Sequence, residues 1–408
     1  PKGYQISQYE HPLIDGGTLK NARIRRIHLE EDTGRLLHEK GVSLVDFNRA
    51  GVPLMELVTE PDIKSAEEAV AFAKELQLIL RYLDTSNADM EKGQMRVEVN
   101  ISLQDPGWKY VEGFGLKSGM WLFSGKSEEK TPPLNARVEI KNINSFRAVF
   151  GAINYEIKRQ EEVLESGGAV VQETRGWDDV HKKTISQRLK EESQDYRYFP
   201  EPDLPPLDLR EWDLEKIKTE LPELPEAKRK RFTEEFNLSL EQADTLINDK
   251  PSADYFESAI SELKTHKLPT ANRRILFNYF TSDLKGLMSK SGVAFGDLKI
   301  SPEHFAHFIA LIQNKELTSR LAKNILGKMF ETGEDPETIM NTEKLTKISG
   351  TDELGKIISE VIKENPSAVS DYRKGKTASL QFLIGKAMAK LKGRGEPNVL
   401  RELFVENL

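Results

Sequence analysis

The run Pro200-Glu201-Pro202-Asp203-Leu204-Pro205-Pro206 divides the chain into two kinds of sequence. Prolines this dense fix φ and remove backbone donors, so no helix or central strand runs through them. Before the run, up to about residue 62, short apolar stretches alternate with Gly16-Gly17, Gly34, Gly41, Gly51 and Pro53, which reads as strands and turns. From about residue 213, apolar residues recur at helical spacing to the end of the chain. The expected fold class is α+β: a mixed or antiparallel sheet domain over 1–212, followed by all-α sequence.

Within the first part, SAEEAVAFAKELQLILRYL predicts a helix, with Ser65 and Glu68 as a capping box. Its apolar face is Val70, Phe72, Leu76, Ile79, Leu80 and Leu83. MRVEVNISL predicts a strand with Met95, Val97, Val99, Ile101 and Leu103 on one side. ARVEIKN nearly repeats it, placing Val138 and Ile140 against Arg137, Glu139 and Lys141. Two such strands can pair and show one charge-alternating face. That face is either a solvated outer surface or the floor of a polar cleft. NINSFRAVFGAINYEIKRQEEVLESGG predicts a second helix ending at Gly167-Gly168. The segment from Glu173 to Leu207 is densely charged, and Tyr196, Tyr198 and Phe199 within it need a surface to pack on.

Two carboxylates stand out among the strands. By alternation, Glu31 shares a face with Ile27 and Leu29, and Glu56 lies between Leu54 and Val58. A carboxylate in an apolar row is costly to bury unless a cation or donors meet it. The pair therefore suggests a shared cation site, and the alternative is a salt-bridged rim. The chain has no Cys, and its seven His show no ligand spacing, so zinc fits poorly and a hard ion such as magnesium fits better.

The composition narrows the rest. A formal charge of −7 over 408 residues gives no general reason to expect nucleic acid, so any such surface must be local. One local excess exists: from Asp371 to Leu408 there are eight Lys and Arg against four Asp and Glu. Lys386, Lys390 and Arg394 stand at helical spacing and form either a phosphate-binding stripe or the wet side of an amphipathic helix. SDYRKGKT lacks the first glycine of a phosphate loop, and no GxGxxG opens a helix. No apolar run approaches the ~20 residues of a membrane span, so no membrane insertion is expected.

The motifs PKGYQISQYEHPL, RIHLEEDTGR, SLVDFNRAGVPLMELVTEPD, VEIKNINSF and RLKEESQDYRYFPEPDLPPL occur in this order. Together they closely resemble the GatB family, the B-type subunits of the glutamyl-tRNA(Gln)/aspartyl-tRNA(Asn) amidotransferases. The resemblance covers about residues 1–208 and resumes at LIGKAMAKLKGRGEPNVLRELF. It implies a catalytic cradle over 1–212, a helical connector over 213–330 and a helical tRNA-binding tail over 331–408. The implied reaction uses ATP and Mg2+ to activate the side-chain carboxylate of a misacylated tRNA as an acyl phosphate. Ammonia from an A-type amidase (glutaminase) partner then attacks, with a small C- or F-type linker protein completing the complex.

Carried over by position, the resemblance puts the metal-binding glutamates at Glu31 and Glu56. It lines the cleft with Glu98, Glu139, Lys190 and Arg197, and assigns ATP contacts to Arg188 and Lys190. Lys386, Lys390, Lys392 and Arg394 would meet tRNA. His28, inside the same motif, is either a substrate contact or a structural residue. The family's N-terminal Glu-x-His strand is not in this chain, which is therefore expected to be a truncated form. The long 104–133 segment points to the mitochondrial matrix, with the bacterial cytoplasm as the alternative. A competing reading is a tRNA-holding scaffold without chemistry.

Overall fold

A computed structural model describes residues 6–103, 135–189, 204–265, 273–343, 351–391 and 394–408. The chain forms two compact units, Pro1–Pro225 and Glu226–Leu408. The first contains strands β1 (Ile14–Asp15), β2 (Thr18–Leu19), β3 (Ala22–Glu31), β4 (Arg35–Glu39), β5 (Val42–Asp46), β6 (Pro53–Thr59), β7 (Val99–Ile101), β8 (Val138–Lys141), β9 (Glu173–Asp178) and β10 (Lys183–Leu189). Its helices are α1 (Ala66–Tyr82), α2 (Phe146–Glu165) and α3 (Leu214–Glu220). Mixed sheets followed by helices match the α+β expectation.

β3 is the spine of the first sheet. It pairs antiparallel with β1, β2 and β6, and β6 runs along it from Ile24 to Glu31. β4 and β5 form a separate hairpin. Lys40 and Gly41 close it, both with positive φ, as a tight hairpin turn requires.

The second sheet has the order β10-β9-β8-β7. β7 and β8 pair antiparallel, with Val99 opposite Ile140 and Asn100 opposite Glu139. The two similar segments therefore pair, though the antiparallel register sets Val138-Glu139 beside Asn100-Ile101 rather than beside the first Arg-Val-Glu. Met95 and Val97 pack on the same core as Val99 and Ile101. The regular strand is shorter than MRVEVNISL suggests, because the chain before it is bent into a turn at Gly93, φ +66. β8 and β9 run parallel, and a parallel pair needs a crossover. α2 is that crossover, and it buries Val149, Ala152 and Ile153 against Ile140 and Trp177.

α1 packs on α2 and begins at Ser65, whose hydroxyl accepts the Glu68 amide at 3.1 Å. Only half of the expected capping box forms, since the Glu68 carboxylate accepts from the Lys64 amide instead. Phe72, Ala73, Leu78 and Tyr82 are its fully buried apolar side chains beyond the first turn; of the expected stripe only Phe72 is among them. The other five are half-buried, because the helix is covered on more than one side.

The second unit is helical: α4 (Pro225–Phe236), α5 (Leu240–Ile247), α6 (Lys250–Thr265), α7 (Arg273–Asn278), α8 (Lys285–Ser291), α9 (Pro302–Gln313), α10 (Ser319–Thr332), α11 (Pro336–Thr342), α12 (Thr351–Glu364), α13 (Pro366–Arg373), α14 (Thr377–Lys390) and α15 (Pro397–Asn407). Ser239 and Gln242 cap α5 reciprocally, and Ser301 caps α9 ahead of Pro302. Phe256, Phe280, Phe305 and Phe308 are fully buried where α6 meets α9. α12 to α15 enclose an apolar core of their own, with Ile358, Val361, Leu383, Leu400 and Phe404 at its centre. α10 stops at Gly333, φ +79, where a Cβ would lie 3.0 Å from the Lys299 carbonyl oxygen. Glycine alone satisfies both the left-handed backbone and that close approach.

Candidate functional site

The β3–β6 register decides which side chains meet. His28 lies directly opposite Glu56, Glu30 opposite Leu54 and Arg26 opposite Val58. Side chains alternate, so Arg26, His28, Glu30 and Glu56 share one face. Glu31, opposite Pro53, takes the other face with Ile27, Leu29 and Met55. The expectation set Glu31 beside Glu56; in this register the carboxylate beside Glu56 is that of Glu30, and Glu31 lies on the opposite face. The expectation placed the apolar residues of β3 inward. In the fold, His28 and Glu30 are buried, whereas Ile27, Leu29 and Glu31 are only half covered.

His28 is 0% exposed, and its Nε2 lies 3.0 Å from Glu30 Oε1 and 3.2 Å from Glu56 Oε2. These three ligand-type atoms all fall within 4.8 Å of one another. His28 Nδ1 and Arg26 Nε are buried without a hydrogen-bond partner. The Arg26 guanidinium stacks on the Tyr9 ring at 4.3 Å and reaches Glu56 at 3.8 Å.

Burial pushes the Glu56 carboxyl above its usual range, and the neighbouring charges of Glu30 and Glu98 add to the rise. His28 and Arg26 oppose it without cancelling it. A cation placed beside Glu56 would favour its ionised form.

From there a polar row runs into the second sheet. Lys141 Nζ stands 3.4 Å from Glu98 and 3.6 Å from Glu139, and the Thr174 hydroxyl donates to Glu139 at 2.9 Å. Glu98 and Glu139, named from sequence, thus line one charged floor continuous with Glu56. Lys190 and Arg197 lie outside the described residues, as does the 104–133 segment; Arg188 is placed only by its strand position opposite Thr174. His28, Glu30 and Lys141 complete the cluster beyond the sequence-based set. The signal for the first two was the i, i+2 spacing of His28 and Glu30, legible only once the covered face of β3 is known.

A divalent cation fits this donor set. Metal–oxygen distances of about 2.1 Å put adjacent ligands roughly 3 Å apart, which matches the His28–Glu30 and His28–Glu56 separations. Two carboxylates with one imidazole are ligands that manganese or magnesium accepts.

The tail differs from the expected stripe. Lys390 is bound by Glu364 at 2.6 Å and Glu360 at 3.1 Å, so acidic partners on α12 already meet its charge. Arg394 donates to the Leu391 carbonyl at the end of α14. Lys386 remains exposed, its ammonium 5.3 Å from the centre of the half-exposed Phe382 ring. Lys392 lies outside the described residues.

A sheet face that gathers carboxylates around one buried histidine, followed in the chain by helical modules, fits an enzyme subunit. Comparison gives the family. Residues 1–215 match the GatB/GatE catalytic domain model, and residues 254–408 match the GatB domain model. The whole chain aligns at 41% identity with 80% of the B-type subunit of aspartyl/glutamyl-tRNA(Asn/Gln) amidotransferase from Rickettsia canadensis (strain McKiel). It aligns at 40% with 82% of the corresponding protein of Caldicellulosiruptor bescii, and at 39% with 82% of that of Persephonella marina. The chain belongs to the GatB family of the tRNA-dependent amidotransferases, and is one component of a larger enzyme. These relatives are bacterial and give the mitochondrial expectation no support. Among the described residues, no helix is long and apolar enough to cross a membrane.

Proposed function

We propose that the His28–Glu30–Glu56 cleft uses ATP to phosphorylate the side-chain carboxylate of a glutamate or aspartate esterified to tRNA. Ammonia released from glutamine by an amidase partner then attacks the acyl phosphate. The carboxylate oxygen forms a bond to the γ-phosphorus as ADP leaves. Ammonia next adds to the carbonyl carbon, and inorganic phosphate departs with that oxygen. The observation carrying this reading is the convergence of His28, Glu30 and Glu56, whose ligand-type atoms lie within 4.8 Å of one another on one sheet face.

Bound there, Mg2+ would neutralise the phosphate oxygens as charge moves between them. Glu30, Glu56 and His28 Nε2 would hold the ion, with Glu56 on the solvent side. Lys141 and Arg26 offer fixed positive charge to a transferring phosphoryl group, which needs positioning and neutralisation more than covalent help. The partners that fit are an A-type amidase, a small C- or F-type linker protein and the misacylated tRNA, met in part by the helical tail.

The test is an assay of the assembled complex with ammonium chloride replacing glutamine as nitrogen donor. Omitting ATP, or chelating divalent cations, is expected to abolish amidation of the charged tRNA. Amide formation without ATP would refute the proposal.

A further inference from the structure

Glu98 lies just before β7 of the second sheet, whereas Glu30 and Glu56 stand on the first, so something must fix the distance between them. Asp32, directly after β3, accepts from Arg49 Nε at 2.8 Å and faces Arg96 Nη2 at 3.5 Å. Arg49 Nη1 donates to the Gly93 carbonyl at 2.8 Å. One guanidinium therefore ties the end of β3 to the turn that leads, five residues on, into Glu98. The Asp32 end is itself pinned: its amide donates to the Val52 carbonyl, and its carbonyl accepts from Gly51, both at 2.9 Å. The Gly93 end is tight as well. That turn is closed by hydrogen bonds from Gly93 to Met90 and from Gln94 to Asp89, and Gly93 holds a left-handed φ of +66°. Asp32 is shielded from solvent, with 12% of its side chain exposed, so its bond to Arg49 is less screened than a surface pair.

We propose that Arg49 is a positioning residue for the phosphoryl-transfer centre. It sets Glu98 against the Glu30–Glu56 pair and acts on the reaction through them. The inference rests on the function proposed above. Fork geometry is the reason for arginine here, because a lysine ammonium can meet Asp32 or the Gly93 carbonyl but not both in this planar arrangement.

The experiment compares wild type, Arg49→Lys, Asp32→Asn and Glu56→Gln in the assembled complex. The readouts are kcat and KM for charged tRNA in ATP-dependent amidation, Mn2+ affinity by electron paramagnetic resonance, and the thermal unfolding midpoint. A displacement of about 1 Å at a reacting centre costs up to ~10²-fold, so kcat for Arg49→Lys and Asp32→Asn is expected to fall by ~10–10²-fold. KM for charged tRNA and the unfolding midpoint stay at wild-type values, and Mn2+ binds more weakly. Wild-type kcat in Arg49→Lys and Asp32→Asn alongside an inactive Glu56→Gln overturns the positioning role and leaves the function standing. A fall in kcat accompanied by a matching fall in the unfolding midpoint also overturns it, assigning Arg49 to folding alone. If Glu56→Gln is itself fully active, the proposed function fails together with this inference.

Discussion

Glu156→Ala is expected to destabilise the first unit by roughly 3–5 kcal/mol, the usual cost of removing one partner from a buried ionic network. Glu156, on α2, is wholly enclosed. It accepts from Arg159 Nη2 at 2.6 Å, Gln160 Nε2 at 3.0 Å and the Thr184 hydroxyl at 2.9 Å, with Arg175 Nε 3.6 Å away. Without it, Arg159 and Arg175 share the single carboxylate of Glu173, and an uncompensated cation is left under the sheet. The exposed pair Lys158–Glu162 on the same helix is the control, where Lys158→Ala is expected to change stability by less than ~0.5 kcal/mol.

Acid acts on the same network. Burial pushes Glu173 up, but hydrogen bonds from Ser186 and Arg175 and the charges of Arg175 and Arg159 outweigh it, so its carboxyl titrates below the usual range. A depressed carboxylate stabilises the fold above the unfolded pKa of about 4.3, and that contribution is lost as pH falls through the lower folded value. Urea titration of the wild type and Glu156→Ala across this window checks both statements. A loss under ~1 kcal/mol for Glu156→Ala would show that the network is not an electrostatic keystone of the sheet.

The second large effect is kinetic. Glu56→Gln is expected to lower tRNA-dependent release of phosphate from ATP by ~10²–10³-fold, the typical cost of removing one group that stabilises transition-state charge. Binding of the charged tRNA is expected to be unchanged. Stability is not the cause of the loss. Because the Glu56 pKa is raised in the fold, its contribution to stability is greatest at low pH and is lost as pH rises through the folded value. Ionised Glu56 therefore burdens the ligand-free protein at neutral pH, and glutamine removes that burden. Parallel turnover and unfolding measurements separate the two effects.

What the sequence revealed depended on whether apolar residues marked the covered side. The β7–β8 pair was legible because its apolar residues alternate strictly: Val99, Ile101 and Ile140 enter one core, and Val138 is buried opposite Ile101. The β9–β10 hairpin was not, because its inward residues include Glu173, Arg175 and Thr184, whose cost is met by Glu156 and Arg159 on α2. Such compensation joins residues distant in sequence and leaves no periodic trace. The neighbour of Glu56 differs by one residue from the expected one for a related reason. Alternation defines two faces of β3 but not which is covered, and a shift of one residue exchanges Glu31 for Glu30. Lys390 shows the same limit, since the helix pattern exposed its charge but not the two glutamates of α12 that meet it.

The most direct test of the central claim follows one oxygen atom. The complex is given tRNA charged with glutamate carrying 18O in both side-chain carboxylate oxygens, together with ATP, glutamine and Mg2+. Phosphorylation of that carboxylate, followed by attack of ammonia, places one 18O atom in each inorganic phosphate released. Phosphate free of 18O, formed while the amide accumulates, would show that ATP is hydrolysed by water and that the cleft does not activate the carboxylate.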